Sequence, residues 1–107
     1  MGEYIVVFIT YPYDEGNKEK ELARKLVENK LAACVNIVKE INSIYFWQGK
    51  IEDDRESLLI VKTKKSLFEE LKNFVKENHP YCVPEIIAMP IILGNEDYLN
   101  WIDESTK

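Results

Sequence analysis

A chain of 107 residues is long enough for one domain around a single hydrophobic core and too short for two ordinary ones. Hydrophobic residues make up 46% and charged residues 31%, with four Gly and four Pro, a composition that excludes disorder, collagen-like repeats and low-complexity linkers. Fourteen basic against 19 acidic residues give a net charge of -5, the wrong sign for tracking a phosphate backbone, so nucleic acid is not an expected partner.

The first apolar run, residues 5–9, follows Glu3 rather than basic residues, which fits neither a signal peptide nor a membrane span. Residues 4–10 are β-branched and aromatic and stop at Tyr11-Pro12-Tyr13-Asp14, so they predict a strand ending in a loop. Over 17–30, Leu22, Ala23, Leu26 and Val27 recur at helical spacing, with Asp14 or Asn17 as the N-cap. Residues 31–47 and 51–63 predict two strands joined by a tight turn near Gln48-Gly49. Ser66 and Glu69 have capping-box spacing, and Phe68, Leu71 and Val75 form the stripe of a second helix that ends near Asn78, ahead of Pro80. Residues 83–93 predict a fourth strand, with Pro84 and Pro90 confined to its ends or to an edge. Gly94 breaks that strand and Asn95 caps a last helix whose first turn carries Glu96 and Asp97.

The order β-α-β-β-α-β plus a terminal helix predicts an α+β fold, the ferredoxin-like βαββαβ sandwich, in a single domain over residues 1–107. Two helices cover only one face of such a sheet, yet the strands do not alternate. Tyr4, Val6 and Phe8 are as apolar as Ile5, Val7 and Ile9, and Ile87, Met89 and Ile91 match Ile86, Ala88 and Ile92. A cover is therefore expected for the second face, either a homo-oligomer or the terminal helix with Tyr98, Trp101 and Ile102 folded back over it.

The one histidine, His79, stands in His79-Pro80-Tyr81-Cys82 at a helix-to-strand junction, as a candidate metal ligand or as an imidazole closing the helix end. Cys82 flanks the same loop, so a Cys and His pair for a soft or borderline metal is conceivable. Cys34 lies in an apolar strand, where a small buried hydrophobe is the plainer reading. With no export signal and only two cysteines, a reduced cytoplasmic protein is expected. There is no C-x-x-C, which excludes a copper-chaperone variant of this fold that grips Cu(I) with two nearby thiolates; there is no Gly-rich phosphate loop and no serine elbow, and the loop after strand one lacks arginine, so catalysis has little support. Tyr45, Phe46, Trp47, Tyr81, Tyr98 and Trp101 suit a core or interface. Facing a cleft instead, they would join Lys62 and Glu85, charges embedded in strands.

Four segments, taken in order, carry a resemblance: Leu31-Ala32-Ala33-Cys34-Val35-Asn36, Ser43-Ile44-Tyr45-Phe46-Trp47-Gln48-Gly49-Lys50-Ile51, Leu59-Ile60-Val61-Lys62-Thr63 and His79-Pro80-Tyr81-Cys82-Val83-Pro84-Glu85-Ile86-Ile87. Together with the ending Gly94-Asn95-Glu96-Asp97-Tyr98-Leu99-Asn100-Trp101-Ile102, they resemble the CutA divalent-cation tolerance family. The resemblance implies a ferredoxin-like subunit in a homotrimer similar to the PII-type signal proteins, and an association with copper and other divalent cations. It also implies an intersubunit cleft gathering Cys34, Trp47, Lys62, His79, Tyr81, Glu85 and Tyr98. Three positions depart from the family pattern: Ile9 stands where some members have Cys, Asn78 where some have a second histidine, and Cys82 where Glu is common. A metal ion here would therefore use another ligand set, centred on His79 with Cys82, Cys34 or Glu85. The competing expectations are a non-enzymatic cation-binding trimer, a small-molecule sensor framed by Trp47, Tyr81, Lys62 and Glu85, and a scaffold that anchors a protein partner.

Overall fold

The computed structural model describes residues 3–107. Strand β1 (Tyr4–Pro12) is followed by α1 (Lys18–Glu28), the hairpin β2 (Cys34–Trp47) and β3 (Lys50–Lys64), α2 (Phe68–Glu77), β4 (Ile86–Pro90) and α3 (Glu96–Ser105). The sheet order is β2-β3-β1-β4 with every neighbouring pair antiparallel, which is the ferredoxin-like arrangement. Ile5, Val7 and Ile9 of β1 and Leu59 and Val61 of β3 project from one face onto Leu22 and Leu26 of α1 and Leu71 and Val75 of α2, and all are buried. The helical stripes read from sequence supply that core.

Several boundaries differ from the sequence reading, each for a local reason. The Ser66–Glu69 capping box does not form, because the chain leaves β3 through a 3-10 turn, Lys65–Leu67. Ser66 thus already lies inside a helical turn instead of ahead of one. At α1, Asn17 occupies the cap position with φ 62° and no side-chain cap bond, and Asp14 Oδ2 accepts from the Lys18 amide instead at 3.2 Å. Asn95 does cap α3, accepting from the Asp97 amide at 3.0 Å. Strand β2 starts three residues later than expected, since Leu31 to Ala33 form a buried turn tied by Thr63 Oγ1 to the Leu31 carbonyl at 2.7 Å. Strand β4 is shorter than the 83–93 expected; it lies at the sheet edge and ends on Pro90, where a missing N–H costs no ladder bond.

Two features place the site. First, β1 pairs with β3 only as far as Pro12 opposite Glu56, so residues 42–47 and 50–55 continue as a two-stranded arm with no third strand. The arm gives the molecule its 44 Å long axis and exposes Ile44, Phe46 (72%) and Ile51 (75%). Second, the sheet face away from α1 and α2 is covered only at one end by α3, through Tyr4 to Asp103 and Lys64 to Asp103 contacts. Val38, Ile87 and Met89 on that face stay exposed. The terminal helix is a partial cover.

Lys39 follows Val35 and Ile37 on the side of β2 that faces the helices, just where the register with β3 shifts between Val38 and Ile41, and it reaches α1. Its ammonium donates to Glu19 Oε2 at 2.9 Å, Asn17 Oδ1 at 2.8 Å and the Asp14 carbonyl at 2.7 Å, and so fastens the β1–α1 loop to β2. Glu19 is fully buried, and Lys39 neutralises it.

Candidate functional site

The loop from α2 to β4 is fixed by His79. The backbone N–H of Tyr81 donates to Nδ1 at 3.1 Å, so Nδ1 carries no proton and Nε2–H donates to the Thr10 carbonyl at 2.7 Å. The ring packs against Tyr11 and Tyr81 with both centroid distances at 5.0 Å. Burial lowers the His79 pKa from its ordinary 6.5, outweighing the hydrogen bond to the Thr10 carbonyl, which acts to raise it.

Held this way, the loop forms one wall of an open groove of about 810 Å3 at the base of the arm. Thr10, Asn42, Tyr45, Trp47, Glu56, Tyr81, Cys82 and Glu85 line it. The Tyr81 hydroxyl donates to Glu56 Oε2 at 3.2 Å, and Glu56 is only 5% exposed. Burial and the nearby Glu56 charge push the Tyr81 hydroxyl pKa up, and the same two causes raise the Glu85 carboxyl. The Tyr45 hydroxyl donates to Asp54 Oδ2 at 2.5 Å, and that hydrogen bond to a carboxylate is the main reason its pKa rises to about 12.

The remaining expected site residues lie elsewhere. Cys34 on β2 sits opposite Lys62 on β3. The Cys34 thiol and the Lys62 ammonium both point to Asn36 Oδ1, the thiol at 3.8 Å. Tyr98 of α3 closes over Cys34, its hydroxyl pKa raised by burial and then by the thiol. Glu56 and Lys62 share the uncovered sheet face but are six residues apart on β3, roughly 20 Å along the strand. His79, Tyr81, Cys82 and Glu85 are therefore brought together at one end of that face, with Trp47 further out at the tip of the arm opposite Lys50, and Cys34, Lys62 and Tyr98 lie at the other end.

His79, Cys82 and Cys34 do not converge within a subunit. Among the described residues no three His, Cys, Asp or Glu side chains are placed to hold a metal ion. The groups of a single subunit do not fit one, and an ion would need donors from two copies. Glu56 was missed by the sequence reading. Its signal is positional, since Glu52, Asp54 and Glu56 alternate along β3 and Glu56 alone adjoins the buried run that begins at Ser57.

Residues 5–105 match the CutA1 divalent ion tolerance protein family. The chain is 52% identical over 103 residues to "Protein CutA, chloroplastic" of Arabidopsis thaliana, covering 96% of this chain and 56% of that protein. It thus spans little more than half the length of the plant relative. Against "Divalent-cation tolerance protein CutA" of Thermus thermophilus it is 52% identical over 101 residues, covering 94% of this chain and 96% of the relative. Among solved structures, CutA1 from Oryza sativa superposes with a TM-score of 0.93 at 50% identity, covering 98% of this chain and 94% of that one. The Thermus thermophilus structure gives 0.91 at 51% identity, with both chains fully covered. With the family matched over nearly all of its length and the same arrangement of strands and helices, this chain belongs to the CutA1 divalent ion tolerance protein family.

Proposed function

We propose that the protein is a non-enzymatic, PII-like homotrimer of divalent-cation tolerance, with copper as its leading ion, and that its binding site is a cleft between subunits. The observation that carries this reading is the division of the site residues between two ends of one uncovered apolar face. A neighbouring copy laid on that face would bury Val38, Ile87 and Met89 and set the Cys34–Lys62–Tyr98 end of one subunit toward the groove of the next. Both cysteines are free thiols, which supports a reducing cytoplasm as the compartment.

The test is calorimetric titration of the metal-stripped protein with Cu(II) at pH 7.5, with His79→Ala, Cys34→Ser and Cys82→Ser alongside. Saturable binding at an integral ratio per subunit, weakened about tenfold or more by each variant, is expected for a ligand set drawn from two copies. Binding that is non-stoichiometric and indifferent to all three variants overturns the metal site. A second reading, a small-molecule sensor, is favoured by one specific observation: both nitrogens of His79 are already engaged. A metal ion on His79 would displace one of those bonds, whereas an organic ligand in the groove would leave both intact.

A further inference from the structure

The uncovered face carries opposite charges at its two ends. Along β3, Glu56, Leu58, Ile60 and Lys62 alternate with the buried Ser57, Leu59 and Val61 and so share that face. Glu56 and Glu85 line the groove at one end, the Lys62 ammonium stands at the other, and the apolar Leu58 and Ile60 lie between. Among the described residues none of these three charges has an ion-pair partner within the subunit. Glu56 accepts from the Tyr81 hydroxyl and Lys62 donates to Asn36 Oδ1, both neutral groups, whereas Lys64, next on the face, meets Asp103 of α3. Glu56 is 5% exposed, and Lys62 is flanked in the sheet by Val6 and Cys34, so a copy covering the face would take both charges out of water. At roughly 20 Å along the strand they are too far apart to neutralise each other within one subunit. Unlike charges meet where one end of this face is set against the opposite end of the next, as in a closed head-to-tail ring.

We propose that the groove is completed by a second copy of this chain: the ammonium of Lys62 of the partner subunit enters it and pairs with Glu56 and Glu85, once at each interface of the ring. The inference rests on the homotrimer reading, which it deepens by naming a residue that the neighbour contributes, and it is independent of copper. Each side supplies what the other lacks, since a charge removed from water is retained where an opposite charge faces it. The long apolar stem of a lysine carries its ammonium clear of the sheet while packing on the apolar side chains around it.

The test is a double-mutant cycle on assembly of the full chain, read by sedimentation equilibrium across a guanidinium series. Lys62→Met keeps an apolar stem and removes the charge, and Glu56→Gln keeps an oxygen that accepts from Tyr81. Lys62→Met is expected to weaken association at least about tenfold per interface, because it leaves buried Glu56 facing no cation. Adding Glu56→Gln to it is expected to recover most of that loss, since no uncompensated carboxylate then remains at that position. Glu85→Gln, at an exposed position, is combined with Lys62→Met in the same way, and it serves in place of Glu56→Gln if far-ultraviolet circular dichroism shows that variant unfolded. Losses that simply add, or a Lys62→Met variant that associates as tightly as the native chain, overturn the proposal and leave a trimer held by its apolar face. A native protein that sediments as one subunit removes the trimer reading and this inference together.

Discussion

His79 is held neutral by geometry: Nδ1 accepts one backbone N–H, and Nε2–H is donated to a carbonyl on β1. A second proton on Nδ1 would face the Tyr81 N–H, and burial opposes the charge as well. The native pKa therefore lies below the ordinary 6.5, so between the two values the unfolded chain binds more protons. His79 thus contributes stability in full above pH 6.5 and loses it as pH falls through that value toward the folded pKa. The raised Glu85 carboxyl has the opposite sign, losing its contribution as pH rises from 4.5 toward its folded pKa, so a control is needed. Urea midpoints measured from pH 7.5 to 5.5 are expected to fall more steeply in the native protein than in His79→Gln. Parallel profiles would mean that the ring is not held as described. The sequence placed this histidine at a fixed junction, but the role of closing the loop became visible only with Thr10, a residue 69 positions away, beside it.

Among the elements, the hairpin was the most legible because its turn is chemical. Gln48 and Gly49 have φ of 50° and 82°, the pair of left-handed residues that lets a two-residue turn follow the twist of its strands. A Cβ built on Gly49 meets nothing within 4 Å, so Gly49→Ala should destabilise by about 1 kcal/mol through conformation alone. Gly49→Asn should cost much less, since Asn tolerates φ above zero. Thermal denaturation of the two variants checks this, and equal losses would show that space, not backbone conformation, decides the position. Helix starts were less legible. Ser66 has the spacing of a cap but lies within the 3-10 turn, and the Asn17 side chain accepts from Lys39, a residue 22 positions away on β2, instead of capping α1.

On the scale of the whole molecule, the arm and the open face remain incomplete in one subunit. A two-stranded hairpin with Ile44, Phe46 and Ile51 in water is marginal alone and gains from being laid against another copy. Phe46→Asp is expected to shift the sedimenting species from three subunits to one while leaving the far-ultraviolet circular dichroism unchanged. The core of β1, β3, α1 and α2 contains no part of the arm, so the fold should survive. A native protein that sediments as one subunit, or a variant that stays trimeric, would remove the arm from the assembly.

The sequence by itself determined the order of elements, the faces of α1 and α2 that meet the sheet, and the presence of a second apolar face, because each follows from periodicity within a few consecutive residues. It also placed the His79 loop and the Cys34 strand as separate candidates. Only the tertiary structure decided how they combine. Strand register set Cys34 beside Lys62 at one end of the sheet and Trp47 toward the other, and the packing of α3 and of the α2–β4 loop brought Tyr98 to the first end and Tyr81 and Glu85 to the second. The same register buried Glu56, one of five charges in a row, beside Tyr81. Burial and pairing are properties of residues distant in the chain, and no local pattern encodes which carboxylate of a charged run is taken out of water.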